Sequence, residues 1–267
     1  IYAKGYTSST GGTSPGQTFF FISRPLQVTS PRHLMTLTKS DRAYAVLVLS
    51  WLLIDLAFFL APTDAIPVGQ QIDAERLAFN AALAIVGGLA LRAARQAGFT
   101  ALWPSGSAGS TPLFLPLGTG LLLGCVPAAI DAVAPIGDIH ADVPLSLPNY
   151  YVGAIFSEAM FRLIPLGLLV WIVADQVLGS QWRTPVFWAC ALTVGLYEPV
   201  VSWQVLSDPN GPGAFDSMTA AFAFVTLAYV LNVGAAYFFW TRGFLAAVVL
   251  RWSYYLVWHV VWPLFAY

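Results

Sequence analysis

The 267-residue chain is 58% hydrophobic and only 9% charged, with a net charge of −1. Soluble domains carry roughly a quarter charged residues, so this chain has too few to cover a water-facing surface, and it lacks the basic field that would hold nucleic acid. Two cysteines in separate apolar segments, Cys125 and Cys190, read as small buried hydrophobes, and a total of three histidines argues against a metal centre.

Residues 1–42 are rich in Gly, Ser, Thr and Pro and are expected to form a cytoplasmic or interfacial arm. Its apolar run from Thr18 to Ile22 is too short to span a bilayer and is suited to dip into the interface. The chain starts at Ile1 without a cleavable signal pattern, so its natural start is expected upstream. Residues 43–267 form the transmembrane domain, with apolar stretches at 43–61, 77–91, 113–134, 150–174, 185–205, 218–240 and 243–267. Crossing ~30 Å of hydrocarbon takes about 20 residues at 1.5 Å each. Only the second stretch falls clearly short. Lipid offers the backbone no hydrogen-bond partners, so the spans must be helical. The predicted fold is all-α, a polytopic bundle of about seven spans.

Basic residues lie before the first span (Lys4, Arg24, Arg32, Lys39), after the second (Arg92, Arg95), after the fourth (Arg183) and after the sixth (Arg242). The alternate loops carry Asp64, Asp73, Glu75, Asp138, Asp142, Asp208 and Asp216, with Arg76 as their one basic residue. The positive-inside rule then predicts an N-terminus in the cytoplasm and a C-terminus outside, in a bacterial inner membrane. The segment from Gly120 to Gly124 has the spacing that permits close helix packing.

Ionisable residues noted within the spans are Asp55, Glu158, Arg162, Glu198, Arg251 and His259. Each Asp or Arg at mid-bilayer costs roughly 2.5–3.5 kcal/mol, which marks these positions as catalytic, ion-handling or structurally paired. Glu158 and Arg162 stand at i,i+4 on one helix face. Asp55 is expected to face the bundle and bond to a backbone or hydroxyl group. His259, between Trp258 and Trp262, reads as an interfacial histidine in an aromatic belt, ahead of a metal or pigment ligand.

The stretch Phe156-Ser-Glu-Ala-Met-Phe-Arg-Leu-Ile-Pro165 resembles the Glu-Glu-x-x-x-Arg motif of the CPBP family, the type II CAAX-prenyl endopeptidases and Abi proteins. Val194-Gly-Leu-Tyr-Glu198 is similar to that family's Phe-x-x-x-His motif. Residues 241–255 are similar to its Gly-x-x-x-Ala segment leading into His-x-x-x-Asn. The resemblance covers about 150–267 and implies a CPBP-like core there. In the family, the first glutamate and first histidine activate a water, while the second histidine and the asparagine hold the oxyanion. Here those positions hold Ser157, Glu198, Arg251 and Tyr255, and only Glu158 and Arg162 keep the family's residues.

Hydrolysis needs a free base and donors aimed at the developing oxyanion. A glutamate held by an arginine is a poor base. The resemblance therefore implies a fold without its chemistry, in which Glu158, Arg162, Glu198 and Arg251 form structural ion pairs. Such a protein would serve as a structural or binding subunit of a membrane assembly, with membrane lipids and other integral membrane subunits as partners. No cofactor is predicted, although the ten tryptophans offer apolar faces to lipids or pigments. A second reading keeps an active intramembrane peptidase with a rearranged Glu158, Glu198 and His259 site. A third, a transporter or channel subunit, is disfavoured because no internal repeats are visible.

Overall fold

Helix α1 (Lys39–Leu60) begins at Thr38, whose side chain accepts from the Asp41 amide while Asp41 reaches back to the Thr38 amide, a reciprocal cap. Asp73 caps α2 (Ala74–Gln96) by a single bond, its carboxylate 2.7 Å from the Arg76 amide nitrogen. The spans that follow are α3 (Leu113–Val133), α4 (Ser146–Leu178), α5 (Ser180–Gln204), α6 (Met218–Arg242) and α7 (Phe244–Ala266). This architecture is taken from a computed structural model that describes residues 38–62, 71–100, 102, 111–135, 140–206 and 217–266. Seven helices are long and apolar enough to cross a membrane, and no strand occurs among the described residues. The chain is an integral membrane protein.

Several expected boundaries change. The second stretch is a full span of 23 residues, because the helix formers Ala74, Glu75 and Arg76 on one side and Arg92 to Gln96 on the other extend the helix beyond the apolar run. Residues 39–42, expected in the arm, belong to α1, Thr38 caps that helix, and residues 1–37 lie outside the described residues. The fifth span is interrupted at Gly195–Leu196. The fourth and seventh contain π-helical turns, at Ala159–Leu163 and Leu256–Val261 among others. Pro165 and Pro263 follow those two segments closely. A proline lacks an amide hydrogen and its ring crowds the carbonyl four residues earlier, which a wider turn relieves.

The most buried span, α7, is packed against α3, α4 and α6. Glycines make the α3–α7 contact close. A Cβ at Gly120 would overlap the Leu250 carbonyl oxygen and Ser253 Oγ, and one at Gly124 would stand 2.8 Å from the Tyr254 carbonyl oxygen. A single residue joins α6 to α7, Gly243, whose φ of 94° disfavours any side chain. Outward faces are apolar too: Val46, Leu49, Leu53 and Phe59 on α1 and Ile85 and Leu89 on α2 are exposed. That surface fits hydrocarbon, not water.

One end of the bundle gathers the basic residues. Arg95 donates to Thr38 Oγ1 at 3.0 Å and lies 3.5 Å from Asp41, joining the end of α2 to the start of α1. Arg183 donates to the Gln96 carbonyl at 2.8 Å and to Asp175 at 2.6 Å, joining the end of α2, the end of α4 and the start of α5. The Thr100 amide donates to the Trp240 carbonyl at 3.1 Å, which brings the end of α6 to the same region.

Candidate functional site

The centre of the site is Arg251, fully buried on α7. Its Nε donates to Glu158 Oε1 on α4 at 2.5 Å. Nη1 and Nη2 reach Glu198 Oε1 and Oε2 on α5 at 2.9 and 3.1 Å, a two-pronged grip. The same nitrogens also donate to Tyr255 Oη at 3.2 Å and to Asn232 Oδ1 on α6 at 2.6 Å. Four helices thus converge on one guanidinium.

Arg162, also buried, is the second cation. It lies 3.6 Å from Glu158 Oε1 and 3.5 Å from Glu198 Oε2, donates to the Ser157 carbonyl at 3.5 Å, and bonds to Asn232 Oδ1. The π turn Ala159–Leu163 begins directly after Glu158 and contains Arg162. Its wider winding is a recurrent feature of functional helices. Both guanidinium groups also lie beside rings: Arg251 is 5.7 Å from the Tyr255 centroid and Arg162 5.9 Å from that of Phe161.

The break in α5 explains how Glu198 and Asn232 enter. At Gly195–Leu196 the helical ladder is interrupted, and Asn232 Nδ2 donates to the Gly195 carbonyl at 3.1 Å. Glu198 then occupies the first turn of the following segment, where a negative charge suits the helix dipole. Its side chain is 26% exposed, against 0% for Glu158, so Glu198 is the open edge of the cluster.

Two arginines face two glutamates, so formal charge balances. Both Glu198 oxygens and Glu158 Oε1 are held by guanidinium nitrogens, and Glu158 Oε2, buried, has no hydrogen-bond donor. Neither carboxylate is placed as a free base, and the donors are aimed at carboxylates already present. The arrangement binds helices together. It does not offer a vacant oxyanion position.

The structure therefore brings together Glu158, Arg162, Glu198, Arg251 and Tyr255, and the Ser157 backbone with them. It does not bring His259 into that group. His259 Nδ1 lies 3.1 Å from His140 Nδ1, its ring is stacked on Tyr150 at 4.3 Å, and Tyr255 and Trp258 flank it. His259 is half-buried against a second histidine. Asp55 bonds not to a backbone or hydroxyl group but to the Asn80 amide, at 2.8 Å. Cys125 is exposed on α3 where burial was expected, because its face of the span points outward; both cysteines are free.

Asn232, His140, Asn80 and Asp131, which accepts from Trp262 Nε1 at 2.6 Å, were not singled out in the sequence. For Asn232, Asn80 and Asp131 the available signal was polarity inside an apolar span, which marks amides as well as charges, whereas His140 lies between α3 and α4 and carried no such signal. Among the described residues, no three His, Cys, Asp or Glu converge as metal ligands.

No protein-family model, curated protein or solved structure matches the chain.

Proposed function

We propose that this protein is a CPBP-like membrane protein without peptidase chemistry, serving as a structural or binding subunit of a larger membrane assembly. The observation that carries this reading is the engagement of both Glu158 and Glu198 by Arg251. In the proposed correspondence, Glu198 and Arg251 stand where a peptidase would hold a water-activating histidine and an oxyanion donor, and Ser157 stands in place of the water-activating glutamate. A carboxylate clamped by a guanidinium cannot take a proton from water without losing that clamp, and a buried arginine left unpaired is expensive.

The rearranged peptidase reading needs His259 beside the carboxylates, whereas its ring partners are His140, Tyr150, Tyr255 and Trp258. The proposed setting is a bacterial inner membrane, with the basic end formed by Arg95 and Arg183 in the cytoplasm. This follows from the charge asymmetry of the loops. Lipids and other integral membrane subunits are the proposed partners, met through the apolar outer faces.

The test is a turnover assay with the protein reconstituted in vesicles and presented with prenylated and unprenylated membrane peptides. No cleavage above the protein-free background is expected. Turnover abolished by Glu158→Ala or Glu198→Ala would overturn the reading. Purification from native membranes in mild detergent is expected to yield a stoichiometric complex with other membrane subunits, and a stable monomer would argue against a subunit role.

A further inference from the structure

Outside the arginine–glutamate cluster, one acidic side chain sits in the apolar interior without a cation against it. Asp55 on α1 is fully buried and forms no salt bridge among the described residues. Its Oδ2 accepts from Asn80 Nδ2 on α2 at 2.8 Å. Its Oδ1 meets no donor in hydrogen-bonding geometry, and neither does Asn80 Oδ1, although both atoms are shielded from solvent. Trp51, one turn earlier on α1, is close enough to interact with the carboxyl, but its indole N–H is not in hydrogen-bonding geometry.

Two buried acceptors without donors, on two side chains already joined by one hydrogen bond, are an incomplete pattern. Leaving each unsatisfied costs about 1–3 kcal/mol. A single proton completes it. A protonated carboxyl is both donor and acceptor, so Asp55 Oδ1–H can donate to Asn80 Oδ1 while Oδ2 keeps the Asn80 amide hydrogen. The result is an acid–amide ring closed by two hydrogen bonds.

We propose that Asp55 and Asn80 form a proton-binding site, in which Asp55 is a carboxylic acid hydrogen-bonded twice to the Asn80 amide. A neutral acid in an apolar site also avoids the expense of an unpaired buried charge. The Asn80 amide hydrogen bond joins α1 to α2 in either state, and the proton adds the second bond between them. Asp55 lies five residues before the end of α1 at Leu60, about 7–8 Å of helix rise, so the site is near one end of the bundle. Exposed Arg76 stands one turn before Asn80 and is the nearby charged group on α2. From α4 the neighbouring groups are Phe156, against Trp51, and Tyr151, whose phenol is engaged by Ser50 at 2.8 Å.

Infrared spectroscopy of the purified protein at neutral pH reads the site directly, because a carboxylic acid and a carboxylate absorb separately. The difference between wild type and Asp55→Asn is expected to contain one acid carbonyl band, unchanged when choline replaces sodium in the buffer. Asn80→Leu is expected to keep that band and move it to higher wavenumber, since the acid carbonyl loses its donor. This variant serves if Asp55→Asn does not fold. Absence of the band in wild type would overturn the proposal. A band present in choline and lost in sodium would overturn it in favour of a cation site.

Discussion

Arg251 on α7 holds Glu198 on α5 through both terminal nitrogens, at 2.9 and 3.1 Å, across 53 residues of chain. The same guanidinium spends its Nε on Glu158, at 2.5 Å. Breaking a buried pair typically costs about 3–5 kcal/mol, whereas replacing both members by apolar residues is often nearly neutral. Arg251→Leu is therefore expected to lower stability by an amount in that range, and Arg251→Leu with Glu198→Leu to recover much of it. The recovery is possible because Glu158 and Arg162 remain as a balanced pair. Denaturation in mixed micelles checks this, and a double mutant no better than Arg251→Leu would refute the pairing energetics.

Asn232 serves both arginines through Oδ1 and the Gly195 carbonyl through Nδ2. Asn232→Leu removes an acceptor from two buried cations and a donor from an interrupted helix. Hydrogen bonds to charged groups are worth about 1.5–3 kcal/mol, so a loss of at least that size is expected in the same denaturation assay. A change within error of wild type would mean that the α5 break and the arginines are held by other groups.

The α3–α7 contact makes a contrast between glycines of one helix. At Gly120 a Cβ would overlap the Leu250 backbone, whereas at Gly118 it would meet nothing within 4 Å. Overpacking a tight interface costs about 1–3 kcal/mol, so Gly120→Ala is expected to destabilise by that amount or more. Gly118→Ala is expected to be neutral or slightly stabilising, since alanine favours helix over glycine by up to ~1 kcal/mol. Equal effects at the two positions would count against this packing.

Orientation can be read with reporter fusions. Fusions after Arg95 and after Arg183 are expected to report cytoplasm, and fusions near Asp138 and Asp208 the opposite side. The ends of α2 and α4 and the starts of α1 and α5 meet at one end of the bundle, so the first two fusions must agree with each other. A cytoplasmic signal near Asp138 would reverse the proposed orientation or change the count of spans.

The seven helices were legible in the sequence because a bilayer imposes a minimum apolar length and forbids unpaired backbone, and both demands act locally along the chain. Glu158 and Arg162 could likewise be placed on one face, since i,i+4 spacing is a property of a single helix. Which residues meet across helices was decided by tertiary structure. In a water-soluble helix, apolar periodicity marks the inner face. Here Leu49 and Leu53 are exposed while Leu91 and Leu250 are buried, all within apolar spans, so hydropathy does not say which face turns inward. The convergence of Asn232 with two arginines, and of Asp55 with Asn80, depends on the rotation of each helix about its axis. The interruption at Gly195–Leu196, where the Gly195 carbonyl is met by Asn232 from α6, depends on a partner that its own span does not contain, whereas the π turns that carry Arg162 and His259 follow from Pro165 and Pro263 within their own spans.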